Sequence, residues 1–194
     1  MAEEAPKPPP QVVALWIGPR LDWVGRLCLT SHLVAGHPVA LYSYDRVEGV
    51  PEGVERRDAA DILPLDEAFL AAAGPRIFSD LWRIEMLLQK RGIWIDCDAL
   101  ALHPLPPRAR IAGWLTRAIV GTGVLRLPPH SDALHAMRRF IEEPRSPDAL
   151  GYMSHHLDEM PPQSAREDLL ALAALRQTVL GPSGASCRSA RADR

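Results

Sequence analysis

Two apolar runs separated by one helix-sized segment constrain this chain more than any other feature. Val12 to Ile17 and Val39 to Tyr44 are continuous, rich in β-branched and aromatic residues, and too short to be helices. Such runs read as strands buried on both faces. Between them Gly18-Pro19 stops the first run, Asp22 is placed to cap a helix through about Leu33, and Gly36 closes it. Val24, Leu27, Cys28 and Leu33 fall broadly on one side of that helix. A β-α-β opening demands a parallel pair and a crossover, which argues for an α/β sheet whose ligands gather beyond the carboxyl ends of its strands. Those ends carry Trp16 to Gly18 and Tyr44-Asp45.

Further along, Val54 to Arg57 reads as a strand, Ala59 to Leu63 as a helical turn, and Leu65 to Ala73 as a helix closed by Gly74. A second helix follows from about Phe78 to Lys90, burying Phe78, Leu81, Trp82, Ile84 and Leu88 while Ser79, Arg83 and Lys90 share another side. Glu85 lands among the apolar residues and so demands a partner there. Gly92 is expected to supply the left-handed stop. Ile93-Trp94-Ile95 is a short buried strand with Asp96-Cys97-Asp98 at its exit. Ile111 to Leu127 alternates, breaks at Gly113, Gly121 and Gly123, and predicts one or two strands or a hairpin. Ser131 to Glu142 and Ser164 to Val179 are predicted helices. Residues 1–10 are a proline-rich tail and 181–194 a polar one, both expected to be disordered, which leaves one domain over 11–180.

The 194 residues, 47% hydrophobic and 24% charged, are enough for a sizeable core. A net charge of −2 gives no reason to expect a nucleic-acid partner. Cys28, Cys97 and Cys187 form neither a disulfide framework nor a zinc pattern, which fits a reducing compartment. No run approaches the roughly 18–20 apolar residues of a membrane span. The expectation is a cytoplasmic protein with no membrane span.

The chemistry concentrates at the aspartates. On an extended strand, residues two apart share a face only while the strand continues; at its end a turn lets both carboxylates approach one cation. Magnesium or manganese held this way keeps open positions for pyrophosphate oxygens. The tripeptide alone is equally a loop with two solvated carboxylates. Arg83 could simply pair with Asp80 at i,i+3 on an exposed helix face, and Trp16 and Trp94 are apolar enough for a core. Cys97 reads as a space-filler, Gly121-Thr122-Gly123 is too sparse for a phosphate loop, and His155-His156 with Asp158-Glu159 reads as a solvated face.

Context makes the pair specific. Ser79-Asp80-Leu81-Trp82-Arg83, a mostly apolar spacer, Gly92-Ile93-Trp94-Ile95-Asp96-Cys97-Asp98 and a trailing Pro104-Leu105 resemble the core signature of the DXD-motif sugar transferases. That family, glycosyltransferase family 32-like, includes bacterial capsule and lipopolysaccharide α-glycosyltransferases, yeast initiating mannosyltransferases and the catalytic domains of clostridial glucosylating toxins. Leu15 to Pro19 and Leu41 to Asp45 resemble its nucleotide-binding half, so the likeness covers roughly residues 12–128. It implies a nucleotide-diphospho-sugar transferase fold (GT-A-like), a mostly parallel central sheet flanked by helices. It also implies a Mn2+ or Mg2+ cofactor, a nucleotide-sugar donor of UDP type, a saccharide or lipid-linked acceptor, and retaining hexosyl transfer in polysaccharide biosynthesis. By the same resemblance Asp98 is the direct metal ligand, and Asp96 contacts ribose and shares the metal–pyrophosphate unit. Ser79 and Arg83 face the donor, Asp80 bonds sugar hydroxyls, and Trp16 stacks on the nucleobase.

Two departures stand out. Arg91 occupies the place of the first of two glycines, and the segment starting at Leu180-Gly181-Pro182 gives way to the polar tail where the family continues. The chain therefore reads as C-terminally truncated. One rival reading is accordingly a remnant that binds nucleotide or a partner without catalysis. Another is a haloacid-dehalogenase-like phosphatase, which also places Asp-x-Asp after an apolar strand but needs a later lysine; Lys7 and Lys90 both lie upstream of Asp98.

Overall fold

A computed structural model describes residues 8–114 and 120–142. The predicted helix at 164–179, the His155–Glu159 group, the tail at 181–194 and most of the N-terminal tail lie outside the described residues. The elements run β1 (Val12–Leu15), α1 (Trp23–Val34), β2 (Val39–Ser43), β3 (Val54–Asp58), a 3-10 turn (Ala59–Asp61), α2 (Glu67–Leu88), β4 (Ile93–Ile95), β5 (Ile111–Trp114), β6 (Val120–Arg126) and α3 (Asp132–Glu142).

The six strands form one sheet in the order β3-β2-β1-β4-β6-β5. β1 pairs in parallel with both β2 and β4, β2 pairs in parallel with β3, and β6 is antiparallel to its neighbours β4 and β5. Five strands thus point one way and β6 the other. The mixed, mostly parallel α/β sheet flanked by helices is the one the sequence predicts. Alternation along the strands divides the core: Val13, Leu15, Tyr42 and Trp94 pack with Trp82, Met86, Leu134 and Met137 on the α2–α3 side. Val12, Ala14, Leu41, Ile93 and Ile95 pack with Leu21, Cys28 and Leu29 on the α1 side. The chain travels outward from β1 to β3, then α2 carries it back to set β4 on the other flank of β1. That reversal is a topological switch point, where two helices on opposite faces leave a crevice past the strand ends.

Local chemistry explains the boundaries. Asp22 caps α1, its Oδ1 accepting from Gly25 N–H at 2.7 Å. The helix ends in a paired motif, Gly36 N–H to Leu33 O and His37 N–H to His32 O, with Gly36 at φ +86°. Its buried stripe is Gly25, Cys28, Leu29 and His32 rather than the predicted one; Leu27 faces outward. The reason is that the segment after Asp98 docks beside α1 and draws His32 inward through a hydrogen bond to Ala99 O.

α2 breaks at Gly74 (φ 83°, ψ 163°), so the two predicted helices meet there, with Pro75 starting the second. Its buried residues are Phe78, Trp82, Arg83, Ile84, Met86 and Leu87. Glu85 finds its partner in α3, 3.0 Å from Arg138 Nε. The stop differs from expectation. Lys90 N–H bonds Leu87 O and Arg91 N–H bonds Met86 O, so the left-handed residue is Lys90 at φ 60°, not Gly92. Gly92 answers a different demand: a Cβ there would fall 2.7 Å from Gln11 O, because β4 begins hard against β1.

Candidate functional site

A cleft of about 310 Å3 opens at the carboxyl ends of β1 and β4, the switch point of the sheet. Leu15 and Trp16 come from the end of β1, Asp22 and Val24 from the start of α1, Ser79 from α2, and Trp94, Asp96, Cys97 and Asp98 from β4 and its exit. The strand ends where Ala99 N–H turns back onto Asp96 O at 3.0 Å. That turn ends the strand, and both Asp96 and Asp98 line the cleft at its exit.

Asp96 is half-buried and held on several sides. Its N–H donates to Gly123 O at 2.7 Å, and its Oδ1 accepts from Trp94 Nε1–H at 2.7 Å. Its Oδ2 faces Gly123, where a Cβ would stand only 3.1 Å away. Gly123 was not read as a functional position in the sequence; its use is to leave room for that oxygen. Burial raises the Asp96 carboxyl above its ordinary range, with Arg83 and Trp94 opposing and Asp98 adding to the rise. Asp98 is exposed at the mouth. The exit of β4 thus carries two carboxylates that line the cleft, one half-buried and one exposed. Among the described residues no group of three or more His, Cys, Asp or Glu side chains is placed to hold a metal ion.

Arg83 and Asp80 are not among the residues that line the cleft. Arg83 is 4% exposed and packs against Trp94. Its Nη2 pairs with Asp80, its Nη1 donates to Thr122 O at 2.7 Å, and its guanidinium carbon lies 5.0 Å from the Trp94 ring centre. Asp96 Oδ1 is 3.6 Å from Nη1. Burial lowers the guanidinium to about 10, with Asp96 opposing, so it remains charged at neutral pH. The i,i+3 pair of Arg83 with Asp80 forms, but on a buried rather than an exposed face. Of the predicted site residues, Trp16, Ser79, Asp96 and Asp98 line the cleft, and Asp80 and Arg83 are not among its lining residues.

Sequence reasoning took Asp22 for a helix cap and Trp94 for core. Both are so, yet both also line the cleft. The signal available for Asp22 was its position just beyond the first strand of a switch-point fold. Cys28 and Cys97 are inert by environment: burial pushes the Cys28 thiol up to about 12 and raises Cys97 as well, so neither is a thiolate near neutral pH.

No family model matches this chain, and no curated protein sequence matches it. Among solved structures the chain is similar to PaToxG glycosyltransferase, with a TM-score of 0.50 and 14% identity over 94% of this chain and 83% of that one. At that identity the likeness shows the fold, and the six-stranded sheet with its flanking helices fits a GT-A-like arrangement.

Proposed function

We propose that this protein is a metal-dependent glycosyltransferase that moves a hexose from a nucleotide-sugar, of UDP type, to a saccharide or lipid-linked acceptor. The observation that carries the reading is the convergence of Trp16, Ser79, Asp96 and Asp98, from separate parts of the chain, on one cleft at the switch point. A solved structure of the same general fold bearing the name glycosyltransferase supports it.

The donor set fits Mn2+ or Mg2+. Asp96 keeps Oδ2 clear beside Gly123 and Asp98 is exposed, so two carboxylates can bind a hard cation that takes its other ligands from water and phosphate oxygens. When bound, such an ion neutralises charge on the departing nucleoside diphosphate. This chain's residues do the rest. Trp16 offers a half-buried ring for stacking against a nucleobase, Ser79 offers a hydroxyl to the diphospho-sugar, and Asp96 reaches ribose as well as the cation. Asp80 and Arg83 act from behind by fixing Asp96. Retention at the sugar carbon is inferred from the family resemblance.

The test measures donor hydrolysis and transfer with Mn2+ over a panel of UDP- and GDP-sugars, for the native chain and Asp98→Ala. The reading expects turnover that falls by about 10²-fold or more in the variant, the scale of a lost electrostatic stabiliser. Donor binding without turnover replaces it with the non-catalytic remnant, and phosphate release from simple monoesters replaces it with the phosphatase.

A further inference from the structure

Beyond Asp98 the chain runs along α1 to Leu105, tied there by side chains rather than by a strand ladder. The Ser31 hydroxyl accepts from Ala101 N–H at 2.9 Å, His32 Nε2 meets Ala99 O at 3.0 Å, and His37 Nε2 meets Leu105 N–H at 2.7 Å. These contacts assign the protons. His37 Nε2 must be bare to accept from an amide, so its proton sits on Nδ1 and is donated to Pro10 O at 2.7 Å. His32 must carry its proton on Nε2 to bond a carbonyl, which leaves Nδ1 buried with no partner. Both rings are buried, their centres 5.8 Å apart.

We propose that His32 is a positioning residue for the carboxylate-bearing segment, a proton-sensitive latch that holds residues 99–105 against α1 and opens on acidification. A proton on His32 Nδ1 charges a buried ring beside the other ring, with no acceptor to receive it. Among the described residues no carboxylate is bonded to the His32 ring. α1 presents Cys28 one turn before His32, the N-terminal segment presents the Pro10 carbonyl, and the outgoing segment presents Ala99 O and Leu105 N–H. The outgoing segment's titratable neighbours, Asp98 and His103, are exposed. Burial lowers His32 from its ordinary value, His37 lowers it further, and Ala99 opposes. The open form, with a free His32 near about 6.5, therefore binds a proton that the closed form refuses. Closure is complete above that value and is lost as pH falls below it. The effect on cation binding rests on the transferase reading; the opening itself does not.

The experiment is hydrogen exchange of peptides spanning 99–105 between pH 7.5 and 5.5, corrected for intrinsic rates. It compares the native chain with His32→Gln, whose side-chain amide can donate to Ala99 O without titrating. Native protection is expected to fall about tenfold over the acid limb while β1 and α2 stay protected, with a flat profile in the variant. Protection that ignores pH, an equal fall in His32→Gln, or loss across the whole molecule overturns the latch. His32→Asn gives the same comparison if His32→Gln does not fold. Binding of Mn2+ with UDP is followed in parallel and is expected to weaken with the opening; opening without weakening overturns the positioning role. No binding of Mn2+ and UDP at any pH sinks the transferase reading, and exchange still decides the latch.

Discussion

Asp96 and Asp98 are separated by one residue and held by different physics. Asp96 leans on a buried floor, with Trp94 Nε1–H on one oxygen, Gly123 beside the other, and Arg83 3.6 Å behind. Asp98 is exposed, and its place is set by the turn at Ala99 and by tethers from α1. The floor contains one cation, Arg83, and two carboxylates, Asp80 and Asp96. It therefore carries surplus negative charge in a half-dry place, the arrangement that welcomes a cation and resists a proton-free empty state. The outer carboxylate has water to solvate it and costs little. Removing floor groups should consequently change stability, and changing the rim should change function alone.

The largest expected effect breaks the floor. Arg83→Met leaves Asp80 and Asp96 without the buried cation that neighbours both, and loss of one partner of a buried pair costs about 3–5 kcal/mol. Urea unfolding of Arg83→Met and Asp98→Ala side by side checks the contrast; the rim variant should stay within about 0.5 kcal/mol of the native chain. Equal losses in the two would erase the distinction.

The next effect has the opposite sign. Because Asp96's carboxyl is raised in the folded state, mainly by burial, its ionisation works against folding. Stability falls as pH rises through the unfolded carboxylate value, about 3.9, and on through the higher folded one, then stays low above both. Asp96→Asn keeps an oxygen for Trp94 and removes that cost. Without divalent cation its melting temperature at pH 7 should exceed that of the native chain, and the gap should close toward pH 4. A variant less stable at pH 7 would mean that Arg83 needs Asp96 more than Asp96 resents burial.

Much of this was legible in the sequence, and the failures have physical causes. The strand pattern and the Asp-x-Asp exit are local properties, carried by Val12 to Leu15, Val39 to Ser43 and Ile93 to Ile95, and they predicted a mostly parallel sheet with carboxylates at its edge. The cleft could be assembled from Trp16, Ser79, Asp96 and Asp98 because each sits at a strand end or on the helix leading to one. What could not be read was depth. Spacing puts Arg83 one turn beyond Ser79, but only packing against Trp94 and the Thr122 carbonyl tells that the guanidinium is buried. Likewise α1 turned its His32 side inward for an Ala99 carbonyl, a contact across 67 residues that no local period announces.

The smallest expected effect isolates the turn that delivers β4 to the floor. Lys90 pays left-handed strain at φ 60° in the motif that ends α2, whereas Gly92 is fixed by its approach to Gln11. Lys90→Gly relieves that strain while giving the unfolded chain more freedom, so the net gain should be about 0.5–1 kcal/mol. Neither residue touches a carboxylate, and the Asp96 titration followed by NMR should not move. If the variant stabilises the chain and shifts that titration, the floor is tuned by the turn as well as by its buried charges. If the titration holds still, the regime of Asp96 is set by Arg83, Trp94 and burial alone, and its difference from Asp98 owes nothing to how the strand is entered.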